Sequence, residues 1–191
     1  MKKINLFCLL FVVGFNIGVL HGQGDLDLYD KARLLLFEKK WDQALEIWNR
    51  LLDEYPKSKY FPLAQFYKSK CLEEQKLFKK ALNSYSKYMK ISQNANLKEE
   101  ATVAMIDLYF KLYQRGENKY LNRIVDFLDD KQRTIQYFAA FKLSYAQNKK
   151  IASKAVPILK RMIAIENDEE LKDRAKIALM RINPDYWRKS S

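Results

Sequence analysis

The chain has 191 residues, with 35 basic and 23 acidic side chains, one histidine and five glycines. The histidine, His21, and four of the glycines precede residue 25. The remainder therefore lacks the residues of a His-dependent nucleophilic site, a His-ligated metal site or a glycine-rich phosphate loop. We predict no catalytic residues, no metal site and no cofactor, and expect that the protein is not an enzyme.

The first 24 residues have the pattern of a secretory signal. A lysine pair is followed by an apolar run over residues 6–20 and by a small-residue end at Gly22 and Gly24. We predict a signal peptide over residues 1–24 and an exported protein, periplasmic or secreted. The alternative is an uncleaved membrane anchor, because Leu20 lies where cleavage after Gly22 prefers a smaller residue.

The formal net charge is +12, and the sequence pI is about 9.5. An exported protein does not meet the cell's nucleic acids, so we predict no nucleic-acid partner. Anionic envelope polymers, lipid headgroups and acidic proteins are the anions that such a charge would attract. Cys71 is the one thiol beyond the signal, and we expect it to be buried and unreactive.

Apolar spacing predicts about nine helices and no strands. They are expected at roughly 26–38, 41–54, 62–75, 78–90, 97–114, 118–129, 131–147, 153–165 and 169–182. Pro62 and Pro157 lie near helix starts, where a missing N–H costs little. Asn96 is the predicted cap of the fifth helix, and Asn167 or Asp168 that of the last.

The first four helices repeat at an offset of 37 residues. The matched pairs are Leu35/Leu72, Trp41/Phe78, Ala44/Ala81, Leu45/Leu82, Trp48/Tyr85, Leu51/Tyr88 and Leu52/Met89. Small residues at Ala32 and Ser69 precede the central alanines by twelve positions in both copies. Each copy therefore predicts a helical hairpin in which large aromatics fill the space beside small residues.

This pattern resembles the tetratricopeptide repeat. The first copy matches it at Ala32, Trp41, Ala44, Trp48 and Pro56, while the second has Gln93 in place of the final proline. The repeat length and linker are similar to those of bacterial cell-envelope proteins, namely the Tol-Pal coordinator and barrel-assembly lipoprotein families. The resemblance covers residues 25–92 and implies a helical solenoid that holds other proteins.

A second repeat pattern follows over residues 97–182. An Ala/Leu helix alternates with an aliphatic helix at intervals of 35 and 36 residues, which resembles HEAT repeats. The recurring positions are Ala104/Ala139/Ala175, Leu108/Leu143/Leu179, Leu121/Val156, Ile124/Leu159 and Leu128/Ile163. The prediction is an all-α, right-handed helical-repeat solenoid with a tail at 183–191, whose two halves share one core or hinge near residues 93–97.

In tetratricopeptide repeats the first helix of each hairpin lines the concave face. The resemblance therefore assigns a partner-binding groove to Tyr29, Arg33, Leu36, Phe66, Lys70 and Glu73. In the tail, Trp187 is expected either to pack over the final hairpin or to anchor a partner.

Two functions follow from these features. The first is a non-enzymatic scaffold that binds a protein or peptide partner in the bacterial cell envelope. The alternative is an electrostatic binder of anionic polymer or lipid through a diffuse lysine surface. Its members would be Lys76, Lys79, Lys80, Lys87, Lys90, Lys149, Lys150 and Lys154.

Overall fold

A computed structural model describes residues 24–185, so most of the predicted signal peptide and Trp187 lie outside the described residues. Within this range every regular element is helical and there is no strand, which confirms the all-α prediction. No helix of these residues has both the length and the apolar character needed to cross a membrane. The chain divides into two compact units between Gln93 and Asn94.

The first unit holds four helices. They are α1 over 24–37, α2 over Trp41–Glu54, α3 over Phe61–Glu74 and α4 over Phe78–Ile91. Helix α3 packs against both α2 and α4. Pro56 follows the end of α2 and Pro62 lies in the first turn of α3, so both prolines occupy positions where the chain has no helical N–H to lose.

The turns inside the two hairpins have the same backbone conformation. Lys39 and Lys76, 37 residues apart, both lie in the left-handed region with φ of 57° and 59°. The amide of the next residue donates back to the carbonyl of Leu35 at 2.8 Å in the first turn and of Leu72 at 2.9 Å in the second. This six-to-one hydrogen bond satisfies a helix-end carbonyl. The repeat thus extends from side chains to the backbone of the turn.

Aromatic rings dominate the core of the first unit. Trp48 stacks on Tyr67 with ring centroids 5.4 Å apart and meets Tyr29 edge-on at 5.7 Å. Phe66 meets Tyr85 at 5.9 Å. The backbones approach closely because the residues beside these rings are small and fully buried, namely Ala32, Ala44, Ala64, Ser69 and Ala81.

The second unit is built around one helix. Its elements are α5 over Ala95–Gln114, α6 over Lys119–Val125 with a 3₁₀ turn at Asp126–Asp129, α7 over Arg133–Ser144, α8 over Lys149–Ala152 with a 3₁₀ turn at Ser153–Ala155, α9 over Val156–Ile165 and α10 over Glu169–Ile182. Helix α7 packs against α5, α6, α9 and α10. With α8 and α9 taken as one bent helix, the described residues hold the nine helices predicted.

The core of the second unit is mainly aliphatic. Leu108, Leu143 and Leu179, which recur at 35 and 36 residues in the sequence, are all buried. Ala139 and Ala175 are fully buried four residues before the last two of them. The repeated Ala/Leu positions therefore form the side of each helix that faces its neighbours.

Helix caps agree with the predicted boundaries at one end and differ at another. Asp168 caps α10, because its carboxylate accepts hydrogen bonds from the amides of Glu170 and Leu171 at 2.9 and 3.2 Å. The predicted cap at Asn96 is wrong. Helix α5 begins two residues earlier, where the side chain of Asn94 accepts from the amide of Leu97 at 3.0 Å.

Candidate functional site

The predicted groove residues of α1 are already engaged within the first unit. Tyr29 is half-buried and stacks on Tyr60 with ring centroids 4.4 Å apart. The guanidinium of Arg33 lies 5.5 Å from the centre of the Tyr29 ring. Leu36 is half-buried at the edge of the same core. Of these three residues, Arg33 is exposed, whereas Tyr29 and Leu36 are half-buried. The side chain that α1 leaves most accessible to a partner is therefore the guanidinium of Arg33.

The α3 members of the predicted groove face elsewhere. Phe66 is 1% exposed and contacts Tyr85 and Tyr88 of α4, so the prediction that Phe66 lines an open groove is wrong. Lys70 is half-buried, with its ammonium 5.2 Å from the centre of the Phe66 ring. The half-buried carboxylate of Glu73 accepts from the hydroxyl of Tyr85 at 3.4 Å. Phe66 is therefore interior, whereas the groove prediction for the half-buried Lys70 and Glu73 stays a prediction.

Cys71 is fully buried, as predicted from its lone occurrence. Burial raises the pKa of its thiol to about 12, so the group is neutral at physiological pH. Within residues 24–185 no three His, Cys, Asp or Glu side chains are grouped closely enough to hold a metal ion.

The second unit presents a groove that is absent from the sequence-based predictions. Helices α7 and α10 enclose a cleft of about 450 Å³ that contains the rings of Phe138, Phe141 and Tyr145 and the side chain of Ile177. Tyr145 is 55% exposed and Ile177 50% exposed, which is high for side chains of this size. The cleft therefore has an apolar wall that is open to solvent.

A second cleft of about 440 Å³ adjoins the first. It shares Phe138, Phe141 and Arg174 with the first cleft and extends toward Tyr137 and Met162. Because three side chains line both, the two clefts form one groove along α7, which we call the α7 groove. Its charged members are Arg133, Lys142, Glu166, Arg174 and Arg181.

One cation of the α7 groove is held by an ion-pair cluster. The carboxylate of Asp107 on α5 binds the ammonium groups of Lys142 and Lys111, the latter at 2.8 Å. Burial acts to raise the pKa of Asp107, but these two hydrogen bonds outweigh it and hold the pKa below its usual value. The Lys142 ammonium also lies 5.2 Å from the centre of the Phe138 ring. The cluster therefore holds this charge against the apolar wall.

The other end of the groove is held by Arg181 of α10. Its guanidinium lies 3.7 Å from the centre of the Tyr145 ring and donates to the hydroxyl of Ser144 at 2.9 Å. No carboxylate of the described residues pairs with it. Arg181 is thus fixed in position by a ring and a neutral acceptor, with no carboxylate of residues 24–185 to compensate its charge.

The middle of the groove is also braced by polar contacts. Glu166 accepts from the hydroxyl of Tyr137 at 2.7 Å and pairs with Arg133 at 3.4 Å. Burial, and then the hydrogen bond to Glu166, raise the pKa of Tyr137. Arg174 pairs with Glu170 of its own helix. Three of the four cations that line the α7 groove are thus paired with a carboxylate, and Arg181 supplies the positive charge at its edge.

A sequence signal for this groove existed. Helix α7 carries its repeat stripe at Ala139 and Leu143. It also carries Phe138 and Phe141, and Tyr145 follows directly after its end, so the three aromatics are spaced by three and four residues. A helix with two apolar faces needs partners on both. In the structure Phe138 and Phe141 are half-buried and Tyr145 is exposed, so this second face is only partly covered.

No protein-family model, curated protein or solved structure matches this chain.

Proposed function

We propose that this protein is a non-enzymatic scaffold of the bacterial cell envelope, built as a right-handed solenoid of two tetratricopeptide-like hairpins followed by HEAT-like hairpins. Its second unit binds a segment of a partner protein in the α7 groove. The signal-like N-terminus supports the proposed export. The single observation that carries the binding function is the open wall of Phe138, Phe141, Tyr145 and Ile177 with cations at its edge.

The charge of the groove selects the occupant. Of the four cations that line it, Arg133, Lys142 and Arg174 each pair with a carboxylate. Arg181 has no carboxylate partner among the described residues. A bound segment must cover aromatic and aliphatic surface and supply negative charge at the edge. The occupant is therefore an amphipathic peptide segment whose apolar side chains are flanked by Asp or Glu.

Fluorescence anisotropy with the full chain tests this proposal. The probe is a labelled peptide with Phe and Leu at helical spacing and glutamates beside them, and a second peptide has lysines in place of the glutamates. We expect saturable binding of the acidic peptide and weak binding of the basic one. Binding of both with equal strength would remove the charge argument.

Variants locate the site. Phe138→Ala should weaken binding of the acidic peptide about tenfold or more, and Arg181→Glu should reverse the preference between the two peptides. Phe37→Ala is the matched control, because Phe37 is 88% exposed on α1 and lies in the other unit. Loss of binding in Phe37→Ala or Tyr29→Ala, with Phe138→Ala unaffected, would place the partner on the first unit instead.

A further inference from the structure

The first unit has a cleft of its own, which is more polar than the α7 groove. Helices α2, α3 and α4 enclose about 340 Å³ lined mainly by polar side chains. Three of these are lysines, Lys68 of α3 and Lys80 and Lys87 of α4. Three more are amides, Asn49 of α2, Gln65 of α3 and Asn83 of α4. No carboxylate of the described residues lines this cleft, which we call the lysine cleft.

Helix geometry explains why the lysines converge. Lys80 and Lys87 are seven residues apart on α4, so they lie on one face two turns from each other. Lys68 lies on the helix against which α4 packs. Among residues 24–185 no carboxylate lies within ion-pair distance of any of the three. This differs from the Lys111 and Lys142 pair, which shares the carboxylate of Asp107.

The electrostatics of Lys68 favour a bound anion. Its side chain is half-buried. Burial lowers its pKa, the nearby charge of Lys87 lowers it further, and the distant carboxylate of Asp53 only partly opposes them. A negative group bound between Lys68 and Lys87 would offset the repulsion between the two ammonium groups. The arrangement is unfavourable for the protein alone and favourable for a complex with an anion.

We propose that the lysine cleft binds a phosphate monoester. Such a group carries about −1.5 to −2 charge and three strong acceptor oxygens, whereas a carboxylate carries one charge. Asn49 and Asn83 can bind hydroxyls of the esterified alcohol. A volume of about 340 Å³ is near the lower end of the range for small-molecule sites, about 300–1,000 Å³. The group would belong to a small phosphorylated compound or to a lipid headgroup.

This proposal differs from a diffuse lysine surface, and it is independent of the α7 groove because the cleft lies in the other unit. Isothermal titration calorimetry of the full chain with glycerol 3-phosphate tests the soluble source, with glycerol as the phosphate-free control. Co-sedimentation with phosphatidylcholine vesicles that contain phosphatidic acid tests the headgroup source. We expect saturable binding at one site per chain to at least one of the two probes.

Two variants of equal charge change locate the site. The pocket variant is Lys68→Gln, Lys80→Gln and Lys87→Gln. The control variant is Lys31→Gln, Lys57→Gln and Lys154→Gln, all exposed residues outside the cleft. We expect the pocket variant to lose about tenfold or more in affinity and the control variant less than about twofold.

Folding is checked by circular dichroism. The double variant Lys80→Gln and Lys87→Gln changes exposed side chains alone and repeats the test if the triple variant melts early. If the parent binds glycerol 3-phosphate and the pocket variant does not, the ligand is a soluble phosphorylated compound. If the parent binds only the phosphatidic acid vesicles and the pocket variant does not, the ligand is a lipid headgroup. Equal losses in the pocket and control variants, or no binding of either probe, would overturn the proposal.

Discussion

The two units use their aromatic residues in opposite ways. In the first unit Trp48, Phe66 and Tyr85 are buried between helices and pack against small residues. In the second unit buried alanines and aliphatic side chains fill most of the core, while Phe138 and Phe141 of α7 remain half-buried at the α7 groove. A core formed by aromatics leaves few of them for binding, whereas an aliphatic core leaves them at the surface. This difference favours the second unit as the partner-binding unit.

Replacing one Phe by Ala in each unit should give the largest difference in the free energy of unfolding. Phe66→Ala should lower the free energy of unfolding of the first unit by about 3–5 kcal/mol, because it creates a cavity in a fully buried position. Phe138→Ala should cost about 1 kcal/mol while weakening peptide binding, because part of its ring area is already exposed.

Urea unfolding followed by tryptophan fluorescence isolates the first unit. Trp41 and Trp48 both belong to it, and a Trp187→Phe background removes the signal of the tail. Circular dichroism follows the whole chain. Equal destabilisation by Phe66→Ala and Phe138→Ala would mean that the two units do not differ in the way described.

Cys71 makes the first unit sensitive to high pH. The ordinary thiol pKa is 9.0 and the folded pKa is about 12, so the unfolded chain loses this proton first as the pH rises. The stabilisation by the neutral buried thiol is complete below pH 9 and is lost between pH 9 and about 12, at about 1.4 kcal/mol per pH unit. Urea unfolding at stepped pH measures it. The Cys71→Ala variant should lack this slope, and an unchanged slope in that variant would assign it to other groups.

Asp107 should give the second unit a dependence on low pH. Its folded pKa is lowered, so its ion pairs stabilise the fold above the ordinary value of 3.8 and are lost as the pH falls through the folded pKa. Asp107→Asn should cost about 1–2 kcal/mol at neutral pH, because Lys142 and Lys111 lose their shared acceptor. Asp126→Asn is the control and should cost less than about 0.5 kcal/mol, because Asp126 is 68% exposed. Thermal melts at pH 3 to 7 distinguish the two.

The helix-ending turns of both units should be more stable with glycine than with another residue. Lys76→Gly should stabilise the first unit by about 0.5 kcal/mol, because Lys76 has a φ of 59° that glycine adopts without strain. Gly116→Ala should destabilise the second unit by about 1 kcal/mol, because Gly116 has a φ of 92°. No atom would clash with the added methyl group, so the cost is in the backbone. Thermal melts measure both, and destabilisation by Lys76→Gly would contradict the strain argument.

Local sequence signals predicted the helices well and the site poorly. Periodicity, prolines and the Asp168 cap gave helix positions close to those observed, because these signals act within a few residues. The resemblance to a repeat family assigned a face to Phe66, but whether that face is open depends on α4, which packs on it. The α7 groove was missed because Phe138 and Phe141 have the spacing of core residues.

The lysine cleft is a second site that the sequence did not predict. The sequence places Lys80 and Lys87 on a diffuse basic surface and gives no reason to group Lys68 with them. By itself the sequence determined the all-helical class and the buried Ala and Leu positions, because both depend on spacing along one helix. The tertiary structure decided which aromatics stay exposed and which lysines converge, because both depend on side chains from helices that are distant in sequence.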